Sequence, residues 1–305
     1  MDILSLFGLI LSAVTLIALG YLSKVTGLLK HEDSTILNNV IIYLALPALI
    51  FLAIRNSQIS INLLSIPLVG WVVMLSCAAT AFFITRLLPL KNPTVGAFLL
   101  AAAIGNTGYL GYPLTLGLLG EEALAKAIFY DIFGTVIFAF TIGLYFAEVY
   151  GTNGKKINKI KEVVTFPPLI ALFVGLFFRG VVLPLFILKS LNYLSAAAIP
   201  LIMLSIGLSL RFDKLGQHKL LIVLLCGIKL ILSPMLAYIV GNLANLSAGS
   251  LSVVVLETSM PAAMLSFIIG LKYGLDADFL SVAIVSATVL SMITIPIWQY
   301  IIAII

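Results

Sequence analysis

Three ionisable residues stand inside long apolar runs of this 305-residue chain: Asp131, Lys229 and Glu257. On insertion scales each costs about 2.5–3.5 kcal/mol at the centre of a bilayer, so each is expected to have a partner or a function. Glu257 lies four residues before Pro261, about one helical turn from a helix-breaking residue. A carboxylate beside freed backbone carbonyls could bind a sodium ion or carry a proton, and the adjacent Thr258 joins it as an ion-coupling candidate. Lys229 could pair with a carboxylate or meet the carboxylate of a substrate. Asp131 lies about seven residues into its run, where it could reach an aqueous cavity. All three would equally suit ion pairs that hold helices together.

Two of the apolar runs are interrupted near their centres. One carries Gly105-Asn106-Thr107-Gly108-Tyr109-Leu110-Gly111-Tyr112-Pro113, three glycines and a proline in nine residues, which disfavours a continuous helix. The other carries Glu257-Thr258-Ser259-Met260-Pro261. In lipid an unsatisfied backbone group costs several kcal/mol, so such breaks must face protein or water. Broken ends expose N–H groups, which favour an anion, and carbonyls, which favour a cation. Paired interruptions at corresponding places are the sequence mark of a midplane transport site; structural kinks are the plain alternative. Tyr43, Asn38 and Asn39 could add hydrogen bonds or pack helices.

The elements that must position these residues are membrane helices. Apolar residues make up 62% of the chain and charged residues 10%, with a mean hydropathy of +1.22. A soluble domain of this length could not cover its core with so few charges. Runs of spanning length fall at 3–22, 36–54, 63–85, 94–119, 124–148, 163–180, 190–210, 219–240, 250–271 and 278–304. The first run, with no Lys or Arg before it, reads as a membrane helix rather than a signal peptide. The spacing therefore predicts an all-α integral membrane protein with ten transmembrane helices, of which the fourth and ninth are broken.

Charge fixes the expected orientation. The odd-numbered loops hold twelve Lys and Arg, including Lys155, Lys156, Arg211 and Lys214, whereas the even-numbered loops hold four. By the positive-inside rule the odd loops are cytoplasmic and both termini lie outside the cell membrane. That distribution also explains the net charge of +5 better than nucleic-acid binding does. The longest polar break, within 151–162, divides the chain into segments 1–150 and 163–305. Asn39, Ala45 and Pro47 recur 153 residues later as Asn192, Ala198 and Pro200. Gly120-Glu121-Glu122-Ala123 resembles Gly274-Leu275-Asp276-Ala277 at a shift of 154. Five spans per half would reverse the second copy, giving two inverted five-helix repeats.

Enzyme chemistry finds little support. His31 and His218 both fall in loops, Cys77 and Cys226 lie singly in apolar runs, and no nucleophile-elbow or nucleotide-binding motif is present. An intramembrane aspartyl protease would need two opposed aspartates, and Asp131 is the single candidate. No cofactor is expected beyond a sodium ion at Glu257.

The chain resembles the auxin efflux carrier family, in its prokaryotic form. The resembling stretches are Gly20-Tyr21-Leu22 with Gly27-Leu28-Leu29, Tyr43-Leu44-Ala45-Leu46-Pro47-Ala48-Leu49, and Gly105-Asn106-Thr107-Gly108 with Pro113. The resemblance implies a scaffold part and a transport part, with the fourth and ninth helices crossing where they unwind. That crossing is similar to those of bile-acid sodium symporters and sodium/proton antiporters. It implies small organic acids as substrates, auxin in plant members and dicarboxylates such as malate or malonate in some bacterial ones. It carries over Asn106, Thr107, Gly108 and Pro113 as first-crossing residues, and Met260 and Pro261 as second-crossing residues. Lys229 resembles a lysine in the eighth helix of the plant carriers, and related carriers suggest a homodimer. The third span lacks the acidic residue common in plant members, and Glu257 is closer to the sodium-dependent pattern. The expected function is secondary transport of a small organic anion, coupled to sodium or protons, by an elevator-like or rocking motion. A cation/proton antiporter using Asp131 with Lys229 is the alternative, and a non-transporting membrane sensor is an alternative of another class.

Overall fold

The computed structural model describes residues 3–30, 32–57, 61–153, 159–210 and 218–304. His31, Lys155, Lys156, Arg211 and Lys214 lie outside them, as does residues 154–158 of the expected linker. In chain order the helices are α1 (Ile3–Val25), α2 (Asp33–Asn56), α3 (Ser65–Leu87), α4 (Asn92–Ala103), α5 (107–119), α6 (Glu121–Tyr150), α7 (Lys159–Val164), α8 (Pro167–Phe177), α9 (Leu185–Ser209), α10 (Lys219–Leu243), α11 (Ala248–Thr258), α12 (Met264–Tyr273) and α13 (Ala277–Ile304). Among the described residues there is no strand. Six helices, α2, α3, α6, α9, α10 and α13, are long and apolar enough to cross a membrane.

Two packed groups emerge. In one, α1 lies along α9, and α2 packs on α8 and α9. The α1–α9 approach is backbone to backbone: a Cβ on Gly207 would sit 1.9 Å from the Ile17 carbonyl oxygen. Small residues permit such contact where lipid gives helices no hydrophobic drive to associate. In the other group α3, α4, α5, α6, α10, α11, α12 and α13 enclose one another. This second group holds the interrupted segments and all three intramembrane ionisable residues.

The interruptions fall where glycine and proline place them. The run at 94–119 leaves helical geometry after Ala103, where Ile104 is extended (φ −96°, ψ 117°), and resumes at Thr107. The run at 250–271 ends its first helix at Thr258, and Pro261 prevents its continuation before Met264. The freed backbone groups satisfy each other. Asn106 N–H donates to the Pro261 carbonyl at 2.8 Å, and Ala263 N–H donates to the Ile104 carbonyl at 3.0 Å. The two breaks thus cross as a short antiparallel bridge between Gly105 and Ala262. This is the internal satisfaction that a non-helical backbone needs at membrane depth.

Periodicity did not disclose the π-helical stretches, which widen the ladder to i→i+5 and free carbonyls for outside donors. Asp131 sits in one (Tyr130–Val136) and Lys229 in another (Gly227–Leu232). The chain has two tryptophans, and each serves one of these stretches. Trp71 Nε1 donates to the Phe133 carbonyl and Trp298 Nε1 to the Leu230 carbonyl, both at 2.9 Å. Among the described residues four glycines take positive φ: Gly27, Gly120, Gly180 and Gly274. Gly180 follows Gly27 by 153 residues and Gly274 follows Gly120 by 154, the shifts at which the sequence echoes itself.

Candidate functional site

The segment following the first break passes between two buried carboxylates. Asp131, from α6, and Glu257, from the last turn of α11, are 6% and 0% exposed. Asp131 accepts hydrogen bonds from the Thr107 hydroxyl through Oδ1 and from Tyr112 Oη through Oδ2, the latter at 2.7 Å. Its carboxylate presses on Gly108, where a Cβ would lie 3.1 Å from Oδ2. Glu257 accepts from the Thr115 hydroxyl through Oε1 at 2.8 Å. Its Oε2 is buried without a partner among the described residues and faces Gly111, where a Cβ would come within 2.2 Å of it. Glycine at 108 and 111 is what lets both carboxylates approach the backbone of α5.

Thr107, Tyr112 and Thr115 are hydroxyls on one short segment that grip carboxylates from two other helices. Thr107 was expected at the site. Tyr112, Thr115 and Gly111 were not, although Tyr112 and Thr115 stand three residues apart, on one helical face. Thr258 uses its hydroxyl on the carbonyls of Val254 and Val255, while its own carbonyl accepts from Ser233 Oγ at 3.0 Å. Pro113 and Met260 are buried in the same region, and Pro261 supplies the carbonyl that Asn106 N–H uses.

Lys229 is 2% exposed and reaches the crossing: a Cβ on Gly105 would lie 3.1 Å from its Nζ and 3.6 Å from the Met260 carbonyl oxygen. It therefore stands near the C-terminal ends of α4 and α11, whose partial negative charge favours a cation. Among the described residues no carboxylate forms an ion pair with it. Asp131 and Lys229 are thus not partners here. Tyr43 lies apart from the crossing: it is 63% exposed and lines a surface groove with Pro47, Phe51 and Pro167.

The crossing also borders a cavity of about 900 Å³. Gly105 packs against Lys229, whereas Asn106 lines the cavity, which Lys229 does not. Asn38, Asn39, Ser209, Met264, Thr288, Lys272 and Asp278 also line it. Lys272 is paired with Glu162 at 3.2 Å. A second cavity of about 440 Å³, lined by Asn56, Glu121, Glu122 and Asn192, lies between α2, α9 and the far end of α5. Among the described residues there is no group of three His, Cys, Asp or Glu able to hold a transition metal. An orphaned carboxylate oxygen and a neighbouring hydroxyl are instead the hard oxygen donors that suit an alkali cation or a proton.

A family profile described as membrane transport protein matches residues 5–299. An uncharacterized transporter of Methanocaldococcus jannaschii is 38% identical over 96% of this chain and 97% of its own length. An uncharacterized transporter of Methanothermobacter thermautotrophicus is 37% identical over 95% of this chain and 96% of its own. A protein of Rhizobium meliloti, named as a candidate malonate transporter, is 28% identical over 94% of this chain and 93% of its own.

Proposed function

The chain belongs to the membrane transport protein family, that of the auxin efflux carriers, and on that premise we propose that it is a secondary active transporter of a small organic anion. The observation that carries this reading is the hydrogen-bonded crossing of two interrupted helices, with Asn106 facing a cavity of about 900 Å³. Discontinuous helices of this kind bring helix ends and carbonyls to a ligand where lipid permits no other irregular backbone. A relative named for malonate supports an organic acid as cargo.

The architecture in this reading is ten crossings in two inverted five-helix halves, 1–150 and 163–305, joined by the linker 151–162. The paired positive-φ glycines support it, because the same left-handed corners recur at one shift. By the positive-inside rule, Lys272 would lie in the cytoplasm and both termini outside the cell membrane. The group built from α1, α2, α8 and α9 is the scaffold, and the group that holds the crossing is the moving part. A homodimer would form on the scaffold.

Glu257 is the coupling residue. Its free Oε2 is the atom that would take the sodium ion or the proton, and Thr115 holds the other oxygen in place. Asn106, with Thr107, Gly108, Pro113, Met260 and Pro261, forms the crossing that holds the substrate. An antiporter built on an Asp131–Lys229 pair is less well supported, since hydroxyls hold Asp131 and no described carboxylate pairs with Lys229. The reading is tested by uptake of radiolabelled malonate and malate into proteoliposomes under an imposed sodium or proton gradient. Glu257→Ala and Asn106→Ala should each abolish uptake while leaving the purified protein folded. Full activity in both variants would sink the assignment.

A further inference from the structure

The even-numbered loops hold four basic residues, and two of them, Arg55 and Arg179, meet at one end of the groove that Tyr43 lines. Arg55 stands in the last turn of α2, and Arg179 follows α8. Each donates to the backbone carbonyl two residues beyond the other: Arg55 Nη2 to Val181, and Arg179 Nη2 to Ser57 at 2.8 Å. That reciprocal contact ties the end of α2 to the loop after α8 and brings two like charges to the same corner. We propose that these arginines and the groove beside them bind one anionic phospholipid, with its phosphate on Arg55 and Arg179 and an acyl chain between α2, α8 and α9.

The charges call for an anion. Among the described residues neither arginine forms an ion pair. Holding a carbonyl needs only a donor, so the loop contacts do not account for two positive charges in loops where basic residues are scarce. Each guanidinium has five N–H donors. Arg179 is exposed and spends one on Ser57; Arg55 spends one on Val181 and one on Asn56 Oδ1. Arg55 Nε is buried without a partner among the described residues. Two forks with donors to spare suit a phosphate, which arginine binds in bidentate fashion.

The groove says what carries the phosphate. It has a volume of about 410 Å³ and is lined by Tyr43, Pro47, Phe51, Ile170, Val174 and Leu194 among others. Phe51 is one helical turn before Arg55, and its ring lies 6.3 Å from that of Phe178, the neighbour of Arg179. The arginines thus stand at the Phe51 end. Tyr43, at the other end, precedes Arg55 by twelve residues, about 18 Å along the helix. One leaflet of a bilayer has about 15 Å of hydrocarbon. The groove therefore runs from headgroup depth to about the midplane, the reach of one acyl chain. A free anion would use the arginines and leave the groove bare, and a second copy of the chain would cover the groove without needing an anion. A lipid with a negative headgroup satisfies both ends at once.

The test is native mass spectrometry of the purified full chain, titrated in detergent with phosphatidylglycerol, with phosphatidylcholine and with water-soluble glycerol phosphate. Wild type is expected to bind phosphatidylglycerol about tenfold more tightly than phosphatidylcholine, and glycerol phosphate should not displace it. Arg179→Gln keeps a donor for the Ser57 carbonyl and removes the charge. It is expected to weaken phosphatidylglycerol by about tenfold, the loss of one hydrogen bond to a charged group. Ile170→Trp fills the groove from a position that is 48% exposed and leaves both arginines in place. It should weaken both lipids, and it decides the matter alone if Arg179→Gln does not fold. Equal affinity of wild type for the two lipids, or unchanged phosphatidylglycerol binding in either variant, overturns the inference. Displacement by glycerol phosphate would assign the arginines to a free anion, and a dimer that Ile170→Trp splits with lipid still bound would assign the groove to a second copy. Either result also overturns it, and none of them touches the organic-anion reading.

Discussion

Residues 107–119 and Met264–Tyr273 are the helices that follow the two breaks, and they meet their surroundings differently. The first runs between Asp131 and Glu257 and bonds to both through hydroxyls, with glycines where the carboxylates touch its backbone. The second begins on Asn106 and a cavity, with no carboxylate hydrogen-bonded to its first turn among the described residues. Glu257 itself comes from the segment that carries the second break, so the ninth run supplies the acid that the fourth run receives. Two segments that cross almost symmetrically have thus divided their chemistry. One lies between two buried carboxylates, the other opens on a cavity.

The sharpest way to break the comparison is to crowd the acid-lined helix and its counterpart equally. A Cβ on Gly111 would come within 2.2 Å of Glu257 Oε2, and a Cβ on Gly270 in α12 within 2.2 Å of Leu280 Cδ1. The overlaps match, but a leucine tip can rotate away and a carboxylate pinned by Thr115 cannot. Gly111→Ala is expected to lower the initial rate of ion-driven uptake by about 100-fold, about 2.7 kcal/mol of lost coupling. Gly270→Ala should change it less than about threefold. Equal losses in the two variants would mean that the site is not concentrated on α5.

A smaller effect separates the two carboxylates. Tyr112→Phe removes one of the two hydroxyls on Asp131 and leaves a buried carboxylate oxygen short of a partner. That should cost about 1–3 kcal/mol of stability, read as a lower unfolding temperature in detergent. Thr115→Val does the same to Glu257, whose other oxygen is already free. There the expected signature is a weaker response to sodium with a smaller change in unfolding temperature. If the two variants lose stability and sodium response in parallel, Asp131 and Glu257 do not have separate roles.

Much of this was legible before the structure. Three charges in apolar runs cannot be accidental when each costs kcal/mol, and Gly105 to Pro113 cannot be a continuous helix. Asn106, Glu257 and Pro261 follow from those two facts. Tyr112 and Thr115 did not stand out because hydroxyls are common in membrane helices, and their value lies in what faces them across the fold. Tyr43 drew attention by its neighbours in sequence, yet its side chain points outward, since helical phase within a fully apolar run carries no signal of inside or outside. Lys229 was legible as costly but not as the neighbour of Gly105, because that contact is made across the fold. The π turns were invisible, since one extra residue per turn leaves no compositional trace.

Those turns supply the smallest test, and it returns to the same comparison. The π stretch that carries Asp131 serves the acid-lined helix, and the π stretch that carries Lys229 serves the crossing. Each has a carbonyl occupied by a tryptophan, Trp71 for the first and Trp298 for the second. Hydrogen bonds between membrane helices average about 0.6 kcal/mol, so Trp71→Phe and Trp298→Phe should each lower stability only slightly. Because the chain has two tryptophans, each variant leaves one, and its emission reports a single π stretch. If the comparison is right, sodium should shift the emission of Trp71, left alone in Trp298→Phe, since its partner stretch carries Asp131 beside the cation's helix. A bound carboxylate, in the opposite variant, should shift Trp298 less, because Lys229 does not line the cavity. Identical responses to both ligands would show that the crossing moves as one unit, with no division between its two helices.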